Sequence, residues 1–213
     1  MDLYLFDFDK TLYGYNFLKR LPALAISGRV SQYDLASTWW AGGYEARAEA
    51  GEWPDAASYL EMFEEVTGAR ITITQWQDAR LAAMTAIPGS IAALRRASTL
   101  GTVSLFSNNP SIFAESLPRL APEVAEILGP NRITSCLLRA RKPMPAAYHR
   151  ILEHFGADAE NTFFADDSAA NIATAIELGF HAHHFTGPEP EATAALDAAI
   201  TAFSQRNAAQ RNP

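Results

Sequence analysis

The sequence predicts an α/β fold: a mainly parallel sheet covered by helices on both faces, interrupted by a mainly helical insertion. Three observations predict it. Short apolar runs of strand length alternate with helix-length stretches of apolar and polar residues. Several of these runs stop at small clusters of Asp, Ser or Asn. The alternation is suspended between about residues 15 and 87, where helical patterns follow one another with no convincing long strand.

The first run, residues 3–8, is apolar and aromatic apart from Asp7, as a short buried strand should be. The insertion then reads as helical stretches at Tyr15–Ile26, Ser31–Ala41, Ala56–Thr67 and Thr74–Thr85. A helix over Ser90–Leu100, opened by Pro88-Gly89, leads to a second run, Thr102–Phe106, which ends in the turn signal Ser107-Asn108-Asn109-Pro110. A third run covers Arg132–Leu138, and Gly156 closes the helix Met144–Phe155 that follows. The fourth, Thr162–Ala165, stops at Asp166-Asp167 before a helix over Ala169–Leu178 closed by Gly179, and the fifth covers Ala182–Phe185. The expected division is a core of residues 1–14 and 88–204, an insertion over 15–87, and a polar, Asn/Gln/Ala-rich tail over 205–213 that frays.

A chain of 213 residues can bury one sizeable core carrying a smaller insertion. Its formal net charge of −7 argues against nucleic acid or an anionic membrane as partner. The single cysteine, Cys136, excludes an internal disulfide framework and reads as a small buried hydrophobe. Asp2 and the stop at Asp7 are wrong for a signal peptide, and no apolar stretch approaches the ~20 residues of a membrane span. The expectation is a cytoplasmic protein, a monomer or homodimer. His181, His183 and His184 alternate through the last run without a Cys or carboxylate in ligand spacing, which favours a structural or surface role.

In an open α/β sheet, ligands bind outside the carboxyl ends of the strands. The residues expected there are Asp7 and Asp9, Ser107 and Asn108, and Asp166 and Asp167, with Lys142 in the loop after the third run. Such a set suits a hard divalent cation, which prefers oxygen ligands, and a phosphate held against it.

Asp7-Phe8-Asp9-Lys10-Thr11 resembles the first motif of the haloacid dehalogenase superfamily, Asp-x-Asp-x-Thr after a hydrophobic strand. Ser107 resembles the second motif, Lys142 before Pro143 the third, and Asp166-Asp167-Ser168-Ala169-Ala170-Asn171 the fourth in its double-aspartate form. Asp-x-Asp alone is a weak signal; four motifs in order at strand ends are a specific one. The resemblance implies a Rossmann-like core with a helical cap domain inserted after the first motif, and a Mg²⁺-dependent phosphohydrolase. Manganese could substitute.

Residue by residue, the resemblance implies that Asp7 attacks phosphorus to form an aspartyl-phosphate. Asp9 would protonate the leaving oxygen, deprotonate the attacking water and place its backbone carbonyl on the metal. Hydrolytic dehalogenases of the superfamily lack an aspartate at the Asp9 position, so its presence favours phosphoryl transfer. Ser107 and N–H groups around Asn108 would bind phosphoryl oxygens, and Lys142 would balance the charge of phosphate and Asp7. Asn108 either orients Asp7 or contacts substrate. Asp167 is implied as the direct metal ligand and Asp166 as one acting directly or through water. Asn171 stands where the family more often has an acid. Taken alone, each motif has a bland reading: a strand-end cap, a turn, a solvated loop cation or acids starting a helix.

The aromatic residues of the insertion, including Trp39, Trp40, Trp53 and Trp76, read first as packing. The stretch from Ala41 to Arg47 reads as a glycine-bearing loop in which Tyr44 and Arg47 could read a leaving group. Lys19, beside Arg20, reads as solvated rather than as a Schiff-base lysine. The leading expectation is a phosphomonoesterase acting on a small phosphorylated metabolite. A phosphoglucomutase-like phosphotransferase and a non-catalytic binding module on the same fold are the alternatives.

Overall fold

The computed structural model describes residues 2–211. Its strands are β1 (Leu3–Phe6), β2 (Tyr13–Tyr15), β3 (Met84–Ala86), β4 (Thr102–Leu105), β5 (Thr162–Asp166) and β6 (His181–His184). Four of them form a parallel sheet in the order β4-β1-β5-β6, and β2 and β3 pair antiparallel. Successive residues of β1 point to opposite faces. Tyr4 and Phe6 pack into one buried cluster with Phe163 and Phe203, while Leu3 and Leu5 pack into another with Tyr148 and Phe164. Burial on both faces is why the core runs are continuously apolar instead of alternating.

Helices Pro88–Ala97 and Pro190–Arg211 cover the first face through Leu94, Leu196 and Ile200. Helices Pro145–Phe155 and Ala169–Glu177 cover the second through Tyr148, Ile151 and Ile172. Phe6 and Phe164 are fully buried; such burial contributes about 1.5–3 kcal/mol per side chain, so the strands that carry the motif residues sit in the most strongly held part of the fold.

Between β2 and β3 run helices Phe17–Gly28, Gln32–Leu35, Tyr44–Glu49, Ala56–Thr67 and Ile73–Ala82, with a π-helical turn at Ala36–Trp40. Trp39 and Trp76 are fully buried among Tyr59 and Phe63, so these aromatics are packing. The stretch expected as a loop from Ala41 is shorter than that, because Tyr44 already opens a helix. Its glycines have distinct reasons: Gly43 has φ +81, and a Cβ on Gly42 would lie 2.0 Å from the Thr38 carbonyl.

Two expectations are corrected. The third run, Arg132–Leu138, is not a strand: Ser135–Leu138 is a single helical turn, and only Thr134 bridges to Ser107. The segment serves the β4 edge by separate bonds instead. Leu105 N–H donates to the Asn131 carbonyl (3.1 Å), Asn131 Nδ2 donates to the Val103 carbonyl (3.1 Å), and Ser135 N–H donates to the Ser107 carbonyl (2.8 Å). The tail does not fray over residues 205–211, which continue the last helix to Arg211. Asn207 is buried and donates to Asp2 Oδ1 at 2.7 Å, and Arg211 pairs with the same carboxylate. Residues 212–213 lie outside the described residues.

Candidate active site

The parallel register sets Phe6 level with Leu105 on one side and Ala165 on the other, so all three strands end on one edge. The next residues therefore converge. Asp7 N–H donates to the Ala165 carbonyl (2.9 Å) and Phe106 N–H to the Phe6 carbonyl (2.9 Å), which carries the ladder one step past β1. Asp7, Ser107, Lys142 and Asp166 are all buried at this edge.

Lys142 is the hub. Its Nζ donates to Asp7 Oδ1 (2.8 Å), Asp166 Oδ2 (2.5 Å) and the Phe106 carbonyl (2.5 Å), using all three ammonium hydrogens. The ammonium also lies 5.1 Å from the ring centroids of Phe106 and Phe164. Asn108 positions this lysine: its Nδ2 donates to the Lys142 carbonyl (2.8 Å) and its Oδ1 accepts from the Lys142 N–H (2.9 Å). The Asn108 amide is thus spent on the lysine backbone, which orients Asp7 only indirectly.

Asp166 is fully enclosed, accepting from Ser168 N–H (2.8 Å) and from Asn171 Nδ2 at 3.0 Å to each oxygen. Asn171 therefore has a definite place despite differing from the common acid. Asp167 faces outward, and Asp7, Asp166 and Asp167 present carboxylate oxygens within 4.8 Å of one another. Such a hard oxygen set fits a divalent cation such as Mg²⁺. Ser168 caps the helix behind them by accepting from Asn171 N–H (3.4 Å), so capping and carboxylate clustering coexist.

A cavity of about 250 Å³ opens over this set, lined by Asp7, Asp9, Ser107, Lys142 and Asp167 among others. Ser107 Oγ accepts from Asn109 Nδ2 (2.9 Å), leaving its own hydrogen free to point at an anion. Burial, with the repulsion of Asp166 and Asp9, raises Asp7 to about 7 against the opposing pull of Lys142. Burial would push Lys142 down, but Asp7 and Asp166 outweigh it and hold the ammonium above its usual value. Asp167 is raised by burial and then by Asp166. Bringing in a cation would relieve this crowding of like charges.

Lys10, at φ +62, is exposed at the rim, 3.9 Å from Asp167. Lys19 is exposed on its helix. Tyr44 and Arg47 are not brought to the cavity with Asp7. The Arg47 guanidinium pairs with Glu52 (Nε–Oε2 2.6 Å) and lies over the rings of Tyr44 and Trp53, so both are spent within the insertion. The histidines of β6 join no described carboxylate cluster: His181 faces Arg206, and His184 Nε2 lies 2.9 Å from the Asp167 carbonyl. Cys136 is buried, as expected.

Two contacts went unforeseen. Arg80, from helix Ile73–Ala82, places its Nη2 2.5 and 2.6 Å from the two oxygens of Asp9. Glu49, also from the insertion, accepts from Arg141 Nε at 2.6 Å, next to Lys142. Burial and then Glu45 raise Glu49 to about 7, with Arg141 opposing. No local pattern marks either residue, because each acquires its partner only when the insertion closes on the core.

Comparison with known proteins agrees with this geometry. A family model for haloacid dehalogenase-like hydrolases matches residues 1–179. No curated protein matches the chain in sequence. Among solved structures, a predicted HAD-like hydrolase from Porphyromonas gingivalis is 21% identical with a TM-score of 0.75, over 92% of this chain and 96% of that one. A HAD family enzyme from Bacteroides thetaiotaomicron, solved with magnesium and inorganic phosphate, is 21% identical with a TM-score of 0.72, over 89% and 96%. A HAD phosphatase from Thermococcus onnurineus is 17% identical with a TM-score of 0.60, over 87% and 86%. With its parallel sheet, its carboxylates at the strand ends and a model match over most of its length, the chain belongs to the haloacid dehalogenase-like hydrolases.

Proposed function

We propose that the protein is a Mg²⁺-dependent phosphomonoesterase acting on a small phosphorylated metabolite through an aspartyl-phosphate on Asp7. The observation that carries this reading is the joint placement of Asp7, Ser107, Lys142 and Asp167 on one cavity with a second aspartate, Asp9, beside them. An aspartate at that place favours phosphoryl transfer over carbon–halogen cleavage within the family. The magnesium and phosphate in the B. thetaiotaomicron enzyme support it by analogy of fold.

In this reading the Asp7 carboxylate attacks phosphorus in line, the ester oxygen departs, and Asp9 supplies its proton. Asp9 then takes a proton from the water that attacks the aspartyl-phosphate, releasing inorganic phosphate and restoring Asp7. Ser107 Oγ donates to a phosphoryl oxygen, and Lys142 keeps Asp7 aimed and offsets the charge that accumulates on the phosphoryl group. Asp7, Asp167 and the Asp9 carbonyl would hold the Mg²⁺, with Asp166 behind them; the ion would neutralise phosphoryl charge. The insertion acts as a cap that excludes water. A second cavity of about 560 Å³ shares Lys10, Tyr15 and Asp167 with the first and has room for the leaving group.

Phosphate release from an aryl phosphate, with and without Mg²⁺, tests this for wild type and Asp7→Asn. Metal-dependent release that the substitution abolishes is expected. Equal release by the two proteins would rule out Asp7 as the nucleophile.

A further inference from the structure

We infer that Arg80 is a positioning residue: it fixes the Asp9 side chain and so makes acid–base work conditional on the docked insertion. The inference rests on the phosphatase reading above. Arg80 is 2% exposed and comes from the last turns of helix Ile73–Ala82, far in sequence from the aspartate it holds. A single atom, Nη2, contacts both Asp9 oxygens (2.5 and 2.6 Å), which determines where the carboxylate lies and how it is turned.

The guanidinium is itself held between two rings. The centroid of Tyr15, at the end of β2, is 4.4 Å away, and that of Phe113, from core helix Ser111–Leu120, is 5.1 Å away. Tyr15 is fixed in turn, its hydroxyl accepting from Arg20 Nη1 at 3.1 Å. Arg80 Nε has no hydrogen-bond partner among the described residues. A buried guanidinium with an unpaired N–H is costly.

Among the described residues Arg80 is the one ionic partner of Asp9, whose side chain is one-quarter exposed and lines the cavity. Without Arg80 the carboxylate is free to turn about its own bonds. With Arg80 present, both oxygens are turned to the same Nη2 and the carboxylate is held in one orientation at the cavity wall. Geometry of this kind sets rates, because a misplacement of about 1 Å costs on the order of 10²-fold.

The test measures phosphate release with Mg²⁺ for wild type, Arg80→Met, Arg80→Lys, Asp9→Asn and the Arg80→Met/Asp9→Asn double variant. Arg80→Met is expected to lower kcat on the order of 10²-fold with KM little changed, and Arg80→Lys to recover part of the loss. In the Asp9→Asn background, Arg80→Met should cost almost nothing more, since residues acting through one group are not additive. Should Arg80→Met fail to fold, as circular dichroism would show, Arg80→Lys in the two backgrounds reads the same coupling. Equal losses in both backgrounds, or a raised KM at constant kcat, would overturn the positioning role while leaving the phosphatase reading intact. A wild type that releases no phosphate would overturn both.

Discussion

Replacing Lys142 by Met removes a cationic side chain that Asp7 and Asp166 share. In the native protein the ammonium donates to both carboxylates and to the Phe106 carbonyl, and all three side chains are buried. Methionine fills similar space between Phe106 and Phe164 but leaves two buried carboxylates repelling each other. Removing one partner of a buried ion pair costs about 3–5 kcal/mol. For a domain of this size each kcal/mol moves Tm by about 2–4 °C, so the midpoint should fall by roughly 6–20 °C. The assay is urea and thermal unfolding at pH 7.5 in the presence of a chelator, so that no cation substitutes for the lysine. Asp166→Asn in the same protein should restore part of the loss by removing one of the two charges. The pH dependence has a definite sign. Burial already raises Asp7 to about 7, and loss of Lys142 raises it further. The folded variant then binds more protons than folded wild type above about pH 7, so its deficit narrows as pH falls toward 7 and levels off below, where Asp7 is protonated in both proteins. A Lys142→Met protein within about 1 kcal/mol of wild type, well short of the cost of an orphaned buried charge, would refute the reasoning. So would a deficit that widens on acidification.

Further outcomes are expected. Mg²⁺ at a hundredfold excess over its Kd should stabilise wild type by about 2.7 kcal/mol in thermal shift. Asp167→Asn should lose most of that response, and an unchanged one would remove Asp167 as a ligand. Glu49, raised to about 7 chiefly by burial and then by Glu45, lies above its unfolded value of 4.5. Its contribution therefore favours the fold below the unfolded pKa and is lost as pH rises to about 7. Glu49→Gln should flatten the fall in stability across that window, measured by Tm against pH. An identical slope in the two proteins would show that Glu49 does not titrate there.

The division of labour between sequence and structure follows from the range of the interactions. Parallel strands buried on both faces must be short apolar runs, so β1, β4 and β5 could be read from local composition. Their carboxyl ends are where chemistry gathers in such a sheet, so Asp7, Asp9, Ser107, Asp166 and Asp167 could be named before any coordinates, whereas Lys142, on no strand end, is matched through its resemblance to the family's third motif. The apolar stretch at Arg132–Leu138 misled because its apolarity reflects burial, and periodicity alone does not separate a buried strand from a buried turn. The tail misled for the opposite reason. Its polar residues Asn207 and Arg211 are anchored by Asp2, at the other end of the sequence. Pairings of that kind carry no local signature. The same holds for Arg80 on Asp9, Glu49 on Arg141, and Asn108 clasping the Lys142 backbone. A residue's chemistry and its place on a strand end are local properties, which the sequence by itself determined. Which charge faces which is decided only when the whole chain folds, because electrostatic partners are chosen by distance in space.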